Sequence, residues 1–287
     1  MAAALKADSG RLPLAALPLA ALLLATCCAG AAHAAEEPLW EFGLGIGAIA
    51  FDDYRGANTS HVYPLPVPYV IYNGTFLKAD RDGVRGMLFN QKWVELNLSV
   101  NATTPVRSDE ARSGMPSLKS TIELGPSLDF HLLRSTDARV KLDLRMPLRA
   151  AFTVQAAPEY IGWTFTPRLA LDIADPFGRP GWKLGFLTGP LFADRRNDDY
   201  FYSVAPQYAT LTRPAYQAPG GYAGTQFITA LSKRYPKYWV GAYVRHDTLA
   251  GAAFEDSPLV QTKSYWSGGI GFAWMIRTSS RTVDVPD

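Results

Sequence analysis

The sequence predicts an all-β protein: a closed antiparallel transmembrane β-barrel of twelve strands, with short periplasmic turns and longer extracellular loops. Three observations lead there. Apolar and polar residues alternate with period 2 through most of the chain, and successive side chains of a strand point to opposite faces. The links between alternating segments are short and long by turns, as in outer-membrane barrels. The tryptophans fall near segment ends, where a membrane barrel carries its aromatic girdles.

The N-terminus is the exception to the alternation. Lys6 and Arg11 precede an apolar stretch, Leu12–Ala25, followed by small residues ending Ala32-His33-Ala34-Ala35. A basic region, an apolar region and an Ala-x-Ala site describe a secretory signal peptide cleaved after Ala34 or Ala35. A retained anchor and a lipoprotein signal at Leu24-Ala25-Thr26-Cys27 are the alternatives, but Pro13, Pro18 and the brevity of the run fit a spanning helix poorly, and Thr26 just before the cysteine fits a lipoprotein signal poorly. The expected division is therefore 1–35 as export signal and 36–287 as barrel. Both cysteines, Cys27 and Cys28, lie in the leader, so the barrel must hold without disulfides. With 28 basic and 26 acidic residues the net charge is +2, and nucleic acid is not an expected partner.

The strands follow in order. The first is Trp40–Phe51, then Pro66–Asn73, Thr75–Asp80, Gly83–Phe89 and Lys92–Asn101. The sixth and seventh form a hairpin within Ser120–Thr153, where Ile122, Leu124, Leu128 and Phe130 alternate with Thr121, Glu123, Ser127 and Asp129. After the turn, Leu142, Leu144 and Leu148 alternate with Lys141, Asp143, Arg145 and Arg149. If Arg134 lies opposite Val140, Asp129 faces Arg145. The remaining strands are Tyr160–Ile173, Gly181–Phe192, Tyr222–Arg234, Lys237–Thr248 and Lys263–Arg277. Asn73-Gly74, Asn90-Gln91, Ser135–Ala138, Ala174–Pro180 and Tyr235-Pro236 make the short links. Asp52–Leu65, Ala102–Lys119, Ala193–Gly221 and Leu249–Thr262 make the long ones. Asp82-Gly83 is a short link on the long side.

Alternation alone does not say which face meets lipid, because a soluble barrel would bury its apolar face. Strands of ten or more residues match the ~9–11 that cross a bilayer at a tilt, and closure leaves no backbone edge for lipid to penalise. The expected girdle is Trp40, Trp93, Trp163, Trp182, Trp239, Trp266 and Trp274. The expected lumen-facing charged set is Glu95, Glu123, Asp129, His131, Lys141, Asp143, Arg145, Arg149, Arg168 and Asp172. Such rows either line a polar constriction or plug a narrow barrel with ion pairs.

Little in the sequence points to chemistry. It shows no nucleophile elbow, phosphate loop or metal-spaced Cys/His set, so neither a catalytic site nor a cofactor or metal is expected. His246-Asp247, with Asp52 and Asp53, is the sharpest catalytic candidate, set against a plain loop edge. Asp194–Tyr200 reads as a solvated loop, its carboxylates lacking calcium-loop spacing. Tyr200, Tyr202, Tyr208, Tyr216 and Tyr222 read equally as a binding surface or a packed lid.

The segment Trp40–Tyr72 resembles the opening of the MipA/OmpV family of Gram-negative outer-membrane proteins. It has a Gly-alternating first strand, then Asp53-Tyr54-Arg55-Gly56, then Pro66-x-Pro68-Tyr69-x-x-Tyr72. Arg213-Pro214-Ala215-Tyr216 and the closing Gly268–Trp274 strand are also similar. The resemblance implies an integral, non-enzymatic protein of the outer membrane in contact with its lipid. It implies a scaffold linking a murein lytic transglycosylase to a murein synthase in envelope assembly; a narrow porin-like channel for small polar solutes or antibiotics, or a surface adhesin, are the alternatives.

Overall fold

The computed structural model describes residues 36–80, 83–103 and 110–284. The expected export signal at 1–35 lies outside them. The wall contains β1 (Trp40–Asp52), β2 (Ser60–Asn73), β3 (Leu77–Asp80), β4 (Gly83–Asn90), β5 (Val94–Thr103), β6 (Thr121–Arg134) and β7 (Val140–Thr153). It continues through β8, in two pieces (Tyr160–Phe165 and Arg168–Ala174), β9 (Trp182–Ala193), β10 (Gly221–Arg234), β11 (Tyr238–Thr248) and β12 (Ser264–Thr278). Every neighbour pair is antiparallel, and β12 pairs with β1, so the sheet closes into a twelve-stranded barrel. The break in β8 falls at Pro167, which has no N–H to give to either neighbour. A terminal pair, Glu36–Pro38 with Thr282–Asp284, lies beside the short-turn end.

Closure depends on close backbone approach between β1 and β12. At Gly45 a Cβ would lie 2.6 Å from the Ala273 Cα, so only glycine fits this seam. The hairpin pairing Asp129↔Arg145 is present, although Arg134 lies opposite Lys141. A bulge between His131 and Leu133 absorbs the one-residue difference.

The faces sort by parity. Ile46, Leu124, Leu148, Val244 and Ile270 are exposed on the outer wall. The opposite positions Glu41, Glu95, Asn97, Asp143, Arg149 and Asp247 are buried. Apolar side chains outward and charged side chains inward is the arrangement of a barrel whose solvent is lipid. Among the described residues no helix is long and apolar enough to cross a membrane; the strands do the crossing.

Two elements differ from the sequence reading. The second strand begins at Ser60, not Pro66, so the long first loop shrinks to a few residues. Asp194–Tyr200 is not an open loop: Arg195–Tyr202 is helix α1, with Asp194 as its N-cap accepting from the Asn197 N–H at 2.9 Å. Gly162 of β8 lets the helix dock, because a Cβ there would lie 2.6 Å from the Asn197 nitrogen.

Candidate functional site

The interior is built from inward-pointing polar residues in tiers. At the short-turn end, Arg234 of β10 pairs with Glu41 of β1, which also accepts from the Tyr69 hydroxyl at 3.1 Å. Since β10 and β1 are not neighbours, this pair reaches across the lumen. Beside it Trp239 packs against Tyr69, ring centroids 6.1 Å apart. On the other wall Asp143 takes Arg134 at 2.6 Å and His131 at 2.9 Å, and Arg145 lies 3.9 Å from Asp172. Lys141 is opposite Asp172 in register.

Higher up, Asn97 donates to Glu95 at 2.8 Å and to Asp129 at 3.0 Å. Arg149 donates to Ser99, two strands away, at 2.7 Å and lies 3.8 Å from Glu123, which accepts from Thr164 at 3.2 Å. Arg168 lines the cavity above. At the top Asp247, fully buried, binds Arg55 at 3.2 Å and Arg245 at 2.9 Å.

Between these tiers and the long loops lies a cavity of about 500 Å³, lined by residues including Arg55, Arg149, Arg168, Arg245, Asp198 and Tyr265. Its roof is a cap made by the loops. Tyr54, Leu118, Tyr202, Leu249 and Phe254 form its apolar core. The Tyr202 and Phe254 rings stack at 3.7 Å and 9°. Polar ties lock the loops together: Tyr54 to the Leu259 carbonyl at 2.7 Å, Tyr202 to the Arg55 carbonyl at 2.9 Å, and Arg213 to the Ala111 carbonyl at 2.8 Å. Of the tyrosines read as surface or lid, Tyr202 is buried in this core and Tyr200 and Tyr216 pack against it.

Asp198, on α1, is 2% exposed and its Oδ2 has no hydrogen-bond partner. Burial pushes its carboxyl up to about 8, against the pull of Arg55 and with the help of Asp194. In the unfolded chain the same group releases its proton near 3.8. Between those values the folded cap binds a proton the unfolded chain lacks, so cap stability falls as pH rises through that window. Limited proteolysis of the loops is expected to run faster at pH 8.5 than at pH 5 on substrate-corrected rates, and Asp198→Asn should flatten that dependence.

The tryptophans divide. Trp40, Trp93, Trp163, Trp266 and Trp274 are exposed on the outer surface, and Trp182 is half-buried beneath Lys233. Trp239 departs from the expected girdle: it shares the inward parity of Gly241, Tyr243 and Asp247 and lies over Gly241 and Gly271. Proximity to a strand end does not decide the face; parity does. The same rule separates His246 from Asp247. His246 points outward against Trp266, ring centroids 4.6 Å apart, while Asp247 points inward, so they form no dyad. Sequence reasoning missed Glu41, Arg55, Arg234 and Arg245. The partners Glu41 and Arg234, and Arg55 and Asp247, are far apart in sequence, and only strand parity hinted at Glu41 and Arg245.

The family model described as MltA-interacting protein MipA matches residues 44–276. No curated protein matches the chain. Among solved structures, the Ralstonia pickettii toluene transporter TbuX is similar at 10% identity, over 86% of this chain and 71% of that one, with a TM-score of 0.23. A mutant of the Rh. blastica porin is similar at 9% identity, over 82% and 99%, with a TM-score of 0.15. At such scores neither likeness bears on what the site does.

Proposed function

The chain belongs to the family of the MltA-interacting protein MipA, and from that premise we propose that it is a non-enzymatic interaction barrel of the outer membrane. In this reading residues 1–35 direct export and are removed. The outward tryptophans anchor the wall at the two lipid interfaces, and the short-turn end faces the periplasm. There it holds a murein lytic transglycosylase and joins it to murein synthesis. The observation that carries the reading is the filled interior. Arg234 pairs with Glu41 across the lumen, Arg149 and Asp143 sit buried in their networks, and the cap roofs the whole, so the barrel is built to be rigid more than to conduct. Affinity capture from crosslinked envelopes is expected to recover a murein lytic transglycosylase. Its absence, together with a steady ionic current across planar bilayers, would sink the proposal.

The cavity favours a second reading. Its mixed arginine and carboxylate lining suits a small polar solute admitted when the cap opens, which makes the protein a gated narrow channel. Current through the intact protein separates the two readings.

A further inference from the structure

The wall is not equally tall all round. β3 has four residues, against the ~9–11 a tilted strand needs to cross hydrocarbon, and β2 beside it has 14. Among the described residues β2 pairs with β3 only at Tyr72↔Ala79 and Asn73↔Lys78. Its other edge pairs with β1 without a slip from Trp40↔Tyr72 to Asp52↔Ser60. Among the described residues, therefore, the edge of β2 from Ser60 to Val70 faces no strand.

Lipid tolerates such an edge badly, because an unpaired N–H there has no water to bond and keeps its full desolvation cost. The sequence removes the donors. The Asn73 N–H points towards β1, donating to the Leu39 carbonyl at 2.8 Å, so the odd residues of β2 face β1. The even residues face the open edge, and Pro64, Pro66 and Pro68 are three of them. Proline in a sheet is confined to such edges. With three N–H groups missing, this edge resists pairing with another strand as well as harming lipid less. It is built to stay open.

The opening lies at lipid height. Trp40 pairs with Tyr72 at one end, and Trp266 lies two residues above Gly268, which pairs with Ala50, itself opposite Val62. Its borders are apolar: Val62, Val70, Phe76 and Leu77 are exposed. Tyr63 and Leu65 have inward parity yet are 40% and 41% exposed, as they would be on the rim of a gap. Behind the rim Tyr63 stacks on Phe51, a lining residue of the cavity, at 5.2 Å. On the far side the cavity is lined by Asn101, Ala102 and Thr103 of β5.

We propose that the wall above the β3–β4 hairpin is a lateral slot through which the acyl chain of an outer-leaflet amphiphile reaches the cavity. This rests on the wall's geometry and stands whether or not the barrel is a scaffold. The test uses the full barrel reconstituted in phosphatidylcholine vesicles, with single-cysteine variants labelled by bimane and doxyl-phosphatidylcholine as the quencher. The label at Leu65→Cys is expected to be quenched as strongly as one at the outward Ile270→Cys. It should be quenched several-fold more than one at Ser232→Cys on β10, which shares the inward parity of Ile228 but lies outside the cavity lining. Quenching at position 65 no greater than at 232 overturns the slot. Tyr63→Cys repeats the measurement should the first variant not fold, with heat-modifiable migration reporting folding for each.

Discussion

Replacing Asp247 by alanine is expected to lower the stability of the barrel's upper half by about 3–5 kcal/mol, the cost of leaving buried charges without their partner. Asp247 is fully buried and is shared by two guanidiniums, Arg55 from the first loop and Arg245 two residues before it on β11. Arg55 also donates to the Ala223 carbonyl at 2.8 Å on β10. The carboxylate thus ties the first loop to β11, and Arg55 ties it in turn to β10, both strands lying near the opposite end of the sequence. Its removal leaves two cations facing each other beneath an apolar cap. The measurement is the temperature at which the compact, heat-modifiable form is lost in detergent. Asp247→Asn keeps the shape but not the charge, and should fall between wild type and alanine. An unchanged transition in Asp247→Ala would mean that the arginines find other partners at no cost.

Phe254→Ala is expected to open the cap while leaving the wall intact. Phe254 is completely buried and stacked on Tyr202, and truncating such an aromatic costs about 3–5 kcal/mol. That cost falls on the loops, whose core is small and touches the wall at the upper ends of β9 and β10, through Leu191, Ala193 and Ala223, and leaves the rest of the strand ladders in place. The expected signature is twofold: faster tryptic cleavage at Arg195 and Arg196, and an ionic current well above that of wild type in planar bilayers. Migration on gels should still show a folded barrel. Leu211→Ala, at a fully exposed loop position, is the control and should change neither. Cleavage without current would place the barrier to conduction in the ion pairs below the cavity, where Arg149 and Glu123 sit.

The wall is legible in the order of the residues alone. Period 2 is a local property of consecutive residues, so Leu124 against Asp129, or Leu142 against Arg145, could be assigned to opposite faces before any partner strand was known. The Asp129↔Arg145 register was legible for the same reason, since a short turn leaves few choices. Tertiary structure decided what depends on contacts between distant segments. Pro64 looked like loop because proline disfavours a strand, and only the missing neighbour at β3 shows that its edge needs no donor. The segment Arg195–Tyr202 looked solvated because it is polar and short, and it becomes a helix because the cap buries Asn197, Asp198 and Tyr202. Trp239 looked like girdle because strand ends were counted without the parity that Asp247 fixes. The lumen charges were legible as a set, but not their partners. Glu41 and Arg234 meet only because the sheet closes, and closure is a property of all twelve strands together.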